Sequence, residues 1–243
     1  MRAAGSPPTE TVTGSTGIRA TAWRVLSVLG ELSITLGVVL ALFVVYQLIW
    51  TNVRADRLAD ATRSEVTRSW TTSPPDRRAL EAPTVPVGDA FALAYIPRLR
   101  SSIWGTPIVQ GVSAQALARG LGHYTSTALP GELGNFALAG HRATNGEPLR
   151  DIDTLQTGDL VVVETADQWF TYSLDRGQIV GPSDAWVLDS VPGSPAATPT
   201  QALITLTTCH PRWGSEQRWV WWGTLVEVTG KDGQPPAAVT NEA

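Results

Sequence analysis

One residue of the 243-residue chain can serve as a thiol nucleophile: Cys209, in the run ALITLTTCHPRWGSEQRWVWWG. A single cysteine rules out an intramolecular disulfide, and its bland reading is a small buried hydrophobe. Its surroundings suggest chemistry instead. The apolar, β-branched stretch 201–208 reads as a strand, and Pro211 with Gly214 enforces a turn after it. Cys209 therefore stands at a strand end, where a loop exposes it and a sheet fixes it. If Trp219–Trp222 begins the returning strand, Arg218 falls nearly opposite Cys209. A guanidinium there steadies a thiolate and donates to the oxyanion formed when the thiolate attacks a carbonyl. Thr208 can add a hydroxyl or a backbone N–H.

A free thiol titrates near about 8.5 and is mostly protonated at neutral pH, so the nucleophile requires a base or an imidazolium. Three histidines are available. His210 follows Cys209 and, in a strand, turns to the opposite face. His123 lies in GLGHYTSTALPG, which reads as a loop. His141 closes the strand NFALAGHR, where Gly140 permits close backbone approach, and it has the best setting. Arg212, three residues after Cys209, reads as a rim residue of the turn. Cys209 with His141 and His210 lacks the ligand spacing of a closed zinc site. Asp151, Asp153, Glu147 and Glu164 read as solvated acids, so no metal or cofactor is assigned.

The elements that must position these groups are mostly short strands. FALAYIPRL, NFALAG, DLVVVET, WFTYSL, QALITLTT and WVWWGTLVEV are bounded by Gly, Pro, Asp and Asn. TGDLVVVETADQWFTYSL reads as a hairpin turning at Ala166–Gln168. SAQALARG, with a Ser cap, and EPLRDIDTL are the two helix candidates. This pattern predicts an all-β domain over 88–230, a sandwich or a small closed barrel of seven or eight strands.

Before this domain, Leu32–Trp50 is 19 residues long without a formal charge. That nearly spans a hydrocarbon core of about 30 Å, and the stretch is too long and ends too bulkily for a cleaved signal peptide. Residues 25–50 are read as a transmembrane anchor, 1–24 as a disordered tail, 51–87 as a stalk and 231–243 as a second tail. Residues 51–70 can form a short helix out of the membrane, followed by four prolines in 71–89. Arg19 and Arg24 precede the segment while Arg54, Arg57, Arg63 and Arg68 follow it, so the positive-inside rule does not fix the orientation. A net charge of −4 without basic runs argues against nucleic-acid binding.

TLTTC at Thr205–Cys209, the arginine nine residues later and LAGHR at Leu138–Arg142 together resemble sortases. GLGHY, TALPGELGNFALAGHR, DIDTL and TLTTCHPR are most similar to the class E type of actinobacteria. The resemblance covers 86–228 and the anchor. It implies an eight-stranded β-barrel with one or two short helices, preceded by a single N-terminal transmembrane helix. It also implies a cytoplasmic N-terminus and an extracellular catalytic domain. The implied reaction is attack by Cys209 on the Thr–Gly bond of a Leu-Ala-x-Thr-Gly or Leu-Pro-x-Thr-Gly sorting signal. His141 then acts as acid and base, and Arg218 stabilises the oxyanion or positions the substrate. The implied partners are secreted proteins bearing such signals and a lipid-linked peptidoglycan precursor as amine acceptor. His123, Tyr124 and Arg142 are groove candidates, with a structural hydrogen-bonding role competing for His123. Ala143 and Asn145 depart from the Thr and Tyr of the family pattern, and the Trp-rich Trp219–Trp222 strand is unusual for it. Two other readings stand beside this one. An L,D-transpeptidase would carry a Ser-His-Gly-Cys motif, which is missing here, and a non-enzymatic anchored β-domain would keep Cys209 for packing.

Overall fold

The computed structural model describes residues 16–72 and 85–240. They fall into two units, divided after Gln47. The first carries helix α1, Thr16–Val45, which starts inside the stretch read as a tail. Within it Trp23–Val45 is long and apolar enough to cross a membrane. Leu32, Ile34, Leu36 and Phe43 are all exposed. Such a run of uncovered apolar side chains suits lipid, not water.

The second unit holds a closed barrel of eight strands: β1 Ala90–Tyr95, β2 Trp104–Gln110, β3 Leu121–His123, β4 Gly134–Ala139, β5 Leu160–Glu164, β6 Gln168–Val180, β7 Ala202–His210 and β8 Gln217–Gly230. Around the barrel they run β1-β2-β3-β4-β7-β8-β6-β5, with β5 closing onto β1. The pairs β2/β3 and β4/β7 are parallel and the rest antiparallel. Closure leaves no open sheet edge. Phe136, Leu138, Tyr172, Ile204, Leu206 and Trp221 fill the interior with their neighbours.

The sequence reading lacked β2 and β3. Gly105 and Pro107 interrupt β2, and β3 has only three residues, so neither shows a clean period. Pro107 sits where β2 has only β1 beside it, because β3 joins from Ile108. His123 consequently ends a strand and is not in a loop. WFTYSL extends to Val180 because β8 pairs with it throughout. Gly177 lies against the Trp221 indole, where a Cβ would meet the ring at 2.6 Å. Trp219 and Trp221 pack with the barrel core, while Val220 and Trp222 face outward beneath the 3₁₀ turn Ala185–Leu188. There Trp186 stacks on Trp222 at 5.7 Å. The Trp-rich strand thus covers both faces of the sheet.

The two predicted helices are short. α3, Ala114–Leu117, is capped by the Ser113 hydroxyl, and EPLRDIDTL keeps only a 3₁₀ turn at Ile152–Thr154.

Two flanking regions differ from the reading as stalk and tail. Helix α2, Thr51–Thr72, buries Ala55, Thr62 and Val66, spaced 7 and 4 residues apart on one helical face. Val66 packs with Leu93, Tyr95, Val162 and Trp169 on the outside of the barrel. The short helix α4, Ala237–Thr240, brings Ala238 and Val239 to the same cluster. Lys231, the chain's single lysine, pins this end by an ion pair with Glu164, with its ammonium 4.2 Å from the Trp169 ring. Both segments are docked because apolar surface on the barrel needs cover. The rest of the stalk, 73–84, and residues 1–15 and 241–243 lie outside the described residues.

Candidate active site

Strand β7 has β4 on one side and β8 on the other, and that topology assembles the site. In the β7/β8 ladder Cys209 is directly opposite Arg218. On the other side, the parallel register ends at Ala139 opposite Thr207. One step further, the Gly140 N–H donates to the Thr207 carbonyl at 3.1 Å. The Thr208 hydroxyl donates to the Gly140 carbonyl at 2.7 Å. Extending the same parallel register one residue further sets His141 level with Cys209. The three residues thus form one row across three adjacent chain segments.

Alternation decides which face the row occupies. Ile204 and Leu206 point into the core, so Thr205, Thr207 and Cys209 point outward. Arg218 shares that outer face, because directly opposed residues do. Cys209 and His141 are half-buried. Gly140 is necessary for the approach: a Cβ there would meet Leu121 at 2.8 Å and Leu149 at 2.9 Å. The His141 carbonyl accepts from Leu149 N–H at 3.0 Å, closing the loop that follows. Burial pushes the His141 imidazole below its ordinary value, so the ring favours its neutral form at neutral pH. One Nη of Arg218 donates to the Ser215 and Gln217 carbonyls, both at 2.9 Å. The guanidinium is therefore anchored to its own loop.

Several expectations need correction. The Thr208 hydroxyl is buried on the inner face and committed to Gly140, so it does not reach an oxyanion at Cys209. The residue sharing the Cys209 face is Thr207, whose hydroxyl donates to the Leu138 carbonyl and lies 3.2 Å from the Tyr124 hydroxyl. Of the three groove candidates, Tyr124 alone comes to that face. Arg142 is 5% exposed and belongs to the barrel end. It donates to the Nδ1 of His210 at 3.0 Å, pairs with Asp153 at 3.2 Å and lies over the Trp219 ring. Because a guanidinium only donates, His210 must carry its proton on Nε2. Parity from Cys209 gives the Thr207 position in hindsight. The Arg142–His210 pair needs the β4/β7 adjacency, which no local pattern reveals.

His123 is 1% exposed, not a groove residue. Its Nδ1 lies 2.6 Å from Gln110 Oε1, its Nε2 3.0 Å from the Ala128 carbonyl, and Phe136 covers the ring at 5.0 Å. Burial drives its pKa down to about 4, outweighing the Ala128 carbonyl and Glu132, which pull it upward. In the unfolded chain a histidine titrates near about 6.5. Protonation therefore favours unfolding as pH falls from about 6.5 towards 4, removing about 3 kcal/mol of stability in all. Urea unfolding of wild type and His123→Gln at pH 7.5 and 4.5 measures this. Wild type should lose about 2–3 kcal/mol more than the variant; equal losses would assign the acid sensitivity elsewhere.

Among the described residues no group of three His, Cys, Asp or Glu side chains is placed to hold a metal ion.

A family model of the sortase domain matches residues 95–226. The chain is 41% identical over 221 residues to sortase SrtE1 of Streptomyces coelicolor, covering 87% of this chain and 60% of that protein. It is 36% identical to sortase SrtE2 of the same organism, covering 88% of this chain and 87% of that one. Among solved structures, sortase E of Streptomyces avermitilis superposes with a TM-score of 0.57 at 39% identity, covering 63% of this chain and 99% of that one. The fold, the domain match and the class E relatives agree, and the chain belongs to the sortase family.

Proposed function

We propose that the protein is a single-pass, membrane-anchored cysteine transpeptidase with Cys209 as nucleophile, His141 as acid and base, and Arg218 as the oxyanion or substrate-positioning group. The observation that carries this reading is Cys209 directly opposite Arg218 in the β7/β8 ladder, with His141 two residues past the end of the parallel β4/β7 register beside it. His141 takes the thiol proton of Cys209 as the sulfur attacks the carbonyl carbon of the Thr–Gly bond in a sorting signal, forming the S–C bond. The C–N bond breaks as His141 protonates the departing glycine amine. The resulting acyl-thioester is attacked by an amine of a lipid-linked peptidoglycan precursor, whose proton returns to His141 as the thiolate leaves. Arg218, directly opposite Cys209 in the β7/β8 ladder, supplies a guanidinium for the negative charge that develops on the substrate oxygen.

The catalytic domain lies outside the cell and the N-terminus in the cytoplasm, since both proposed substrates are found at the outer surface. The charges flanking α1 do not set this orientation, and the chemistry does.

The class E resemblance favours Ala at the second signal position, and the departures at Ala143 and Asn145 make that preference the point to test. The test incubates the protein with Leu-Ala-x-Thr-Gly and Leu-Pro-x-Thr-Gly peptides, with and without an acceptor amine. Intact mass should show an acyl adduct on Cys209 that vanishes when the amine is added. The Ala peptide should be used about tenfold better, within the range one small apolar difference supplies. No adduct and no transfer from either peptide would refute the reading, and a strong Pro preference would refute the signal assignment alone.

A further inference from the structure

The loop after His141 and the loop after Cys209 are joined by Glu147. Its side chain is 14% exposed and each carboxylate oxygen is engaged. Oε1 accepts from Asn52 Nδ2 at 2.7 Å and Oε2 accepts from Arg212 Nη2 at 2.7 Å. Asn52 is the second residue of α2, and its Oδ1 accepts from the Gly146 N–H at 3.0 Å. One amide thus grips both the backbone and the side chain of the turn. Arg212 stands three residues beyond Cys209, and Glu147 six beyond His141.

The backbone here is unusual. Asn145, Gly146 and Glu147 have φ of 56°, 82° and 37°, three successive left-handed residues of which only one is glycine. That conformation persists in a glutamate only when its surroundings over-determine it, and such residues gather at functional sites. Gly146 is also pressed close to α2, where a Cβ would lie 3.3 Å from the buried Ala55. Packing of the turn alone needs no carboxylate at 147.

We propose that Glu147 is a positioning residue, a clamp by which the start of α2 sets the spacing between the His141 loop and the Cys209 loop. This rests on the transpeptidase reading of the same site. Its consequence is that α2, which follows the apolar segment directly in sequence, is part of the transfer machinery.

The test compares wild type, Asn52→Ala, Glu147→Gly and Glu147→Gln as full chains in detergent. Each is measured for transfer kinetics, for the rate of Cys209 alkylation by iodoacetamide, and for Tm. Glu147→Gly removes both carboxylate bonds and, at the same time, the cost of a left-handed side-chain residue, so its Tm should stay close to wild type. Its kcat should fall about 10- to 100-fold with little change in KM, as expected for a misplaced reacting group. Asn52→Ala should lose about threefold or more in kcat, and Glu147→Gln, which keeps one acceptor, should recover part of the Gly loss. The alkylation rate should shift about threefold or more in both Asn52→Ala and Glu147→Gly. Wild-type kcat and alkylation in those two variants overturn the proposal. So does a loss of kcat that follows a matching loss of Tm with no recovery by Gln. Alkylation needs no substrate: if wild type transfers nothing, an altered alkylation rate upholds the clamp while the transpeptidase reading falls, and an unaltered one refutes both.

Discussion

Cys209→Ala is expected to abolish transfer and the acyl adduct together while leaving the barrel intact. Cys209 is half-buried at the end of β7, with its Sγ on the outer face and not among the residues that fill the core. Losing one partly exposed sulfur removes little burial, on the order of 1 kcal/mol, which leaves an ordinary domain folded. Cys209→Ser is the sharper variant, because it retains the shape and a hydroxyl. A serine hydroxyl is far less acidic than a thiol, and a histidine held neutral by burial is a weak base for it. The serine protein should retain at most about 10⁻³ of wild-type kcat/KM, equivalent to about 4 kcal/mol of transition-state stabilisation. Circular dichroism, Tm and peptide transfer on the three proteins separate these effects. Turnover retained in the alanine protein would return Cys209 to a packing role and leave the chain a wall-facing β-domain without this chemistry.

The ease with which this site was read from sequence depends on which contacts are local. Cys209 and Arg218 face each other because a hairpin pairs residues whose numbers sum to a constant. The turn residues Pro211 and Gly214 reveal where the hairpin folds. His141 comes to the row through the parallel β4/β7 pairing, which joins segments 68 residues apart, as Gly140 to Thr208 shows. Only its setting after an apolar strand, and then the family pattern, pointed to it. Arg142, a groove candidate by sequence, is instead buried against His210, because the alternation that turns His141 outward turns its neighbour inward. The Thr208 hydroxyl turns inward for the same reason: adjacency to a nucleophile in a strand is adjacency on the opposite face. β2 and β3 were hidden by Gly105, Pro107 and brevity, although closure of the barrel depends on them. The docking of α2 rests on Ala55, Thr62 and Val66, three modest side chains among charged ones, and that stripe is too thin to separate from a solvated stalk.

His141→Ala carries the second large effect, a fall in kcat/KM of about 10²–10⁴, the usual range for losing a general acid–base. Neither remaining histidine can replace it. His123 is sealed in the interior on the far side of β4, with both ring nitrogens engaged. His210 offers its Nδ1 to Arg142 and lies against Trp219 at the inner barrel end. The residual rate should therefore be low. The pH dependence gives a second readout with a definite sign. Burial lowers the His141 pKa, so the ring stays neutral, and able to accept the proton of the incoming amine, until the pH falls below about 6.5. The acid limb of the wild-type kcat/KM profile should accordingly lie below about 6.5, and the residual activity of His141→Ala should lack it. An acid limb above neutrality, or a variant within about fivefold of wild type, would transfer the acid–base role to another group. Among the described residues no other histidine reaches the outer face beside Cys209, so that outcome would require the substrate or its amine to supply the proton path.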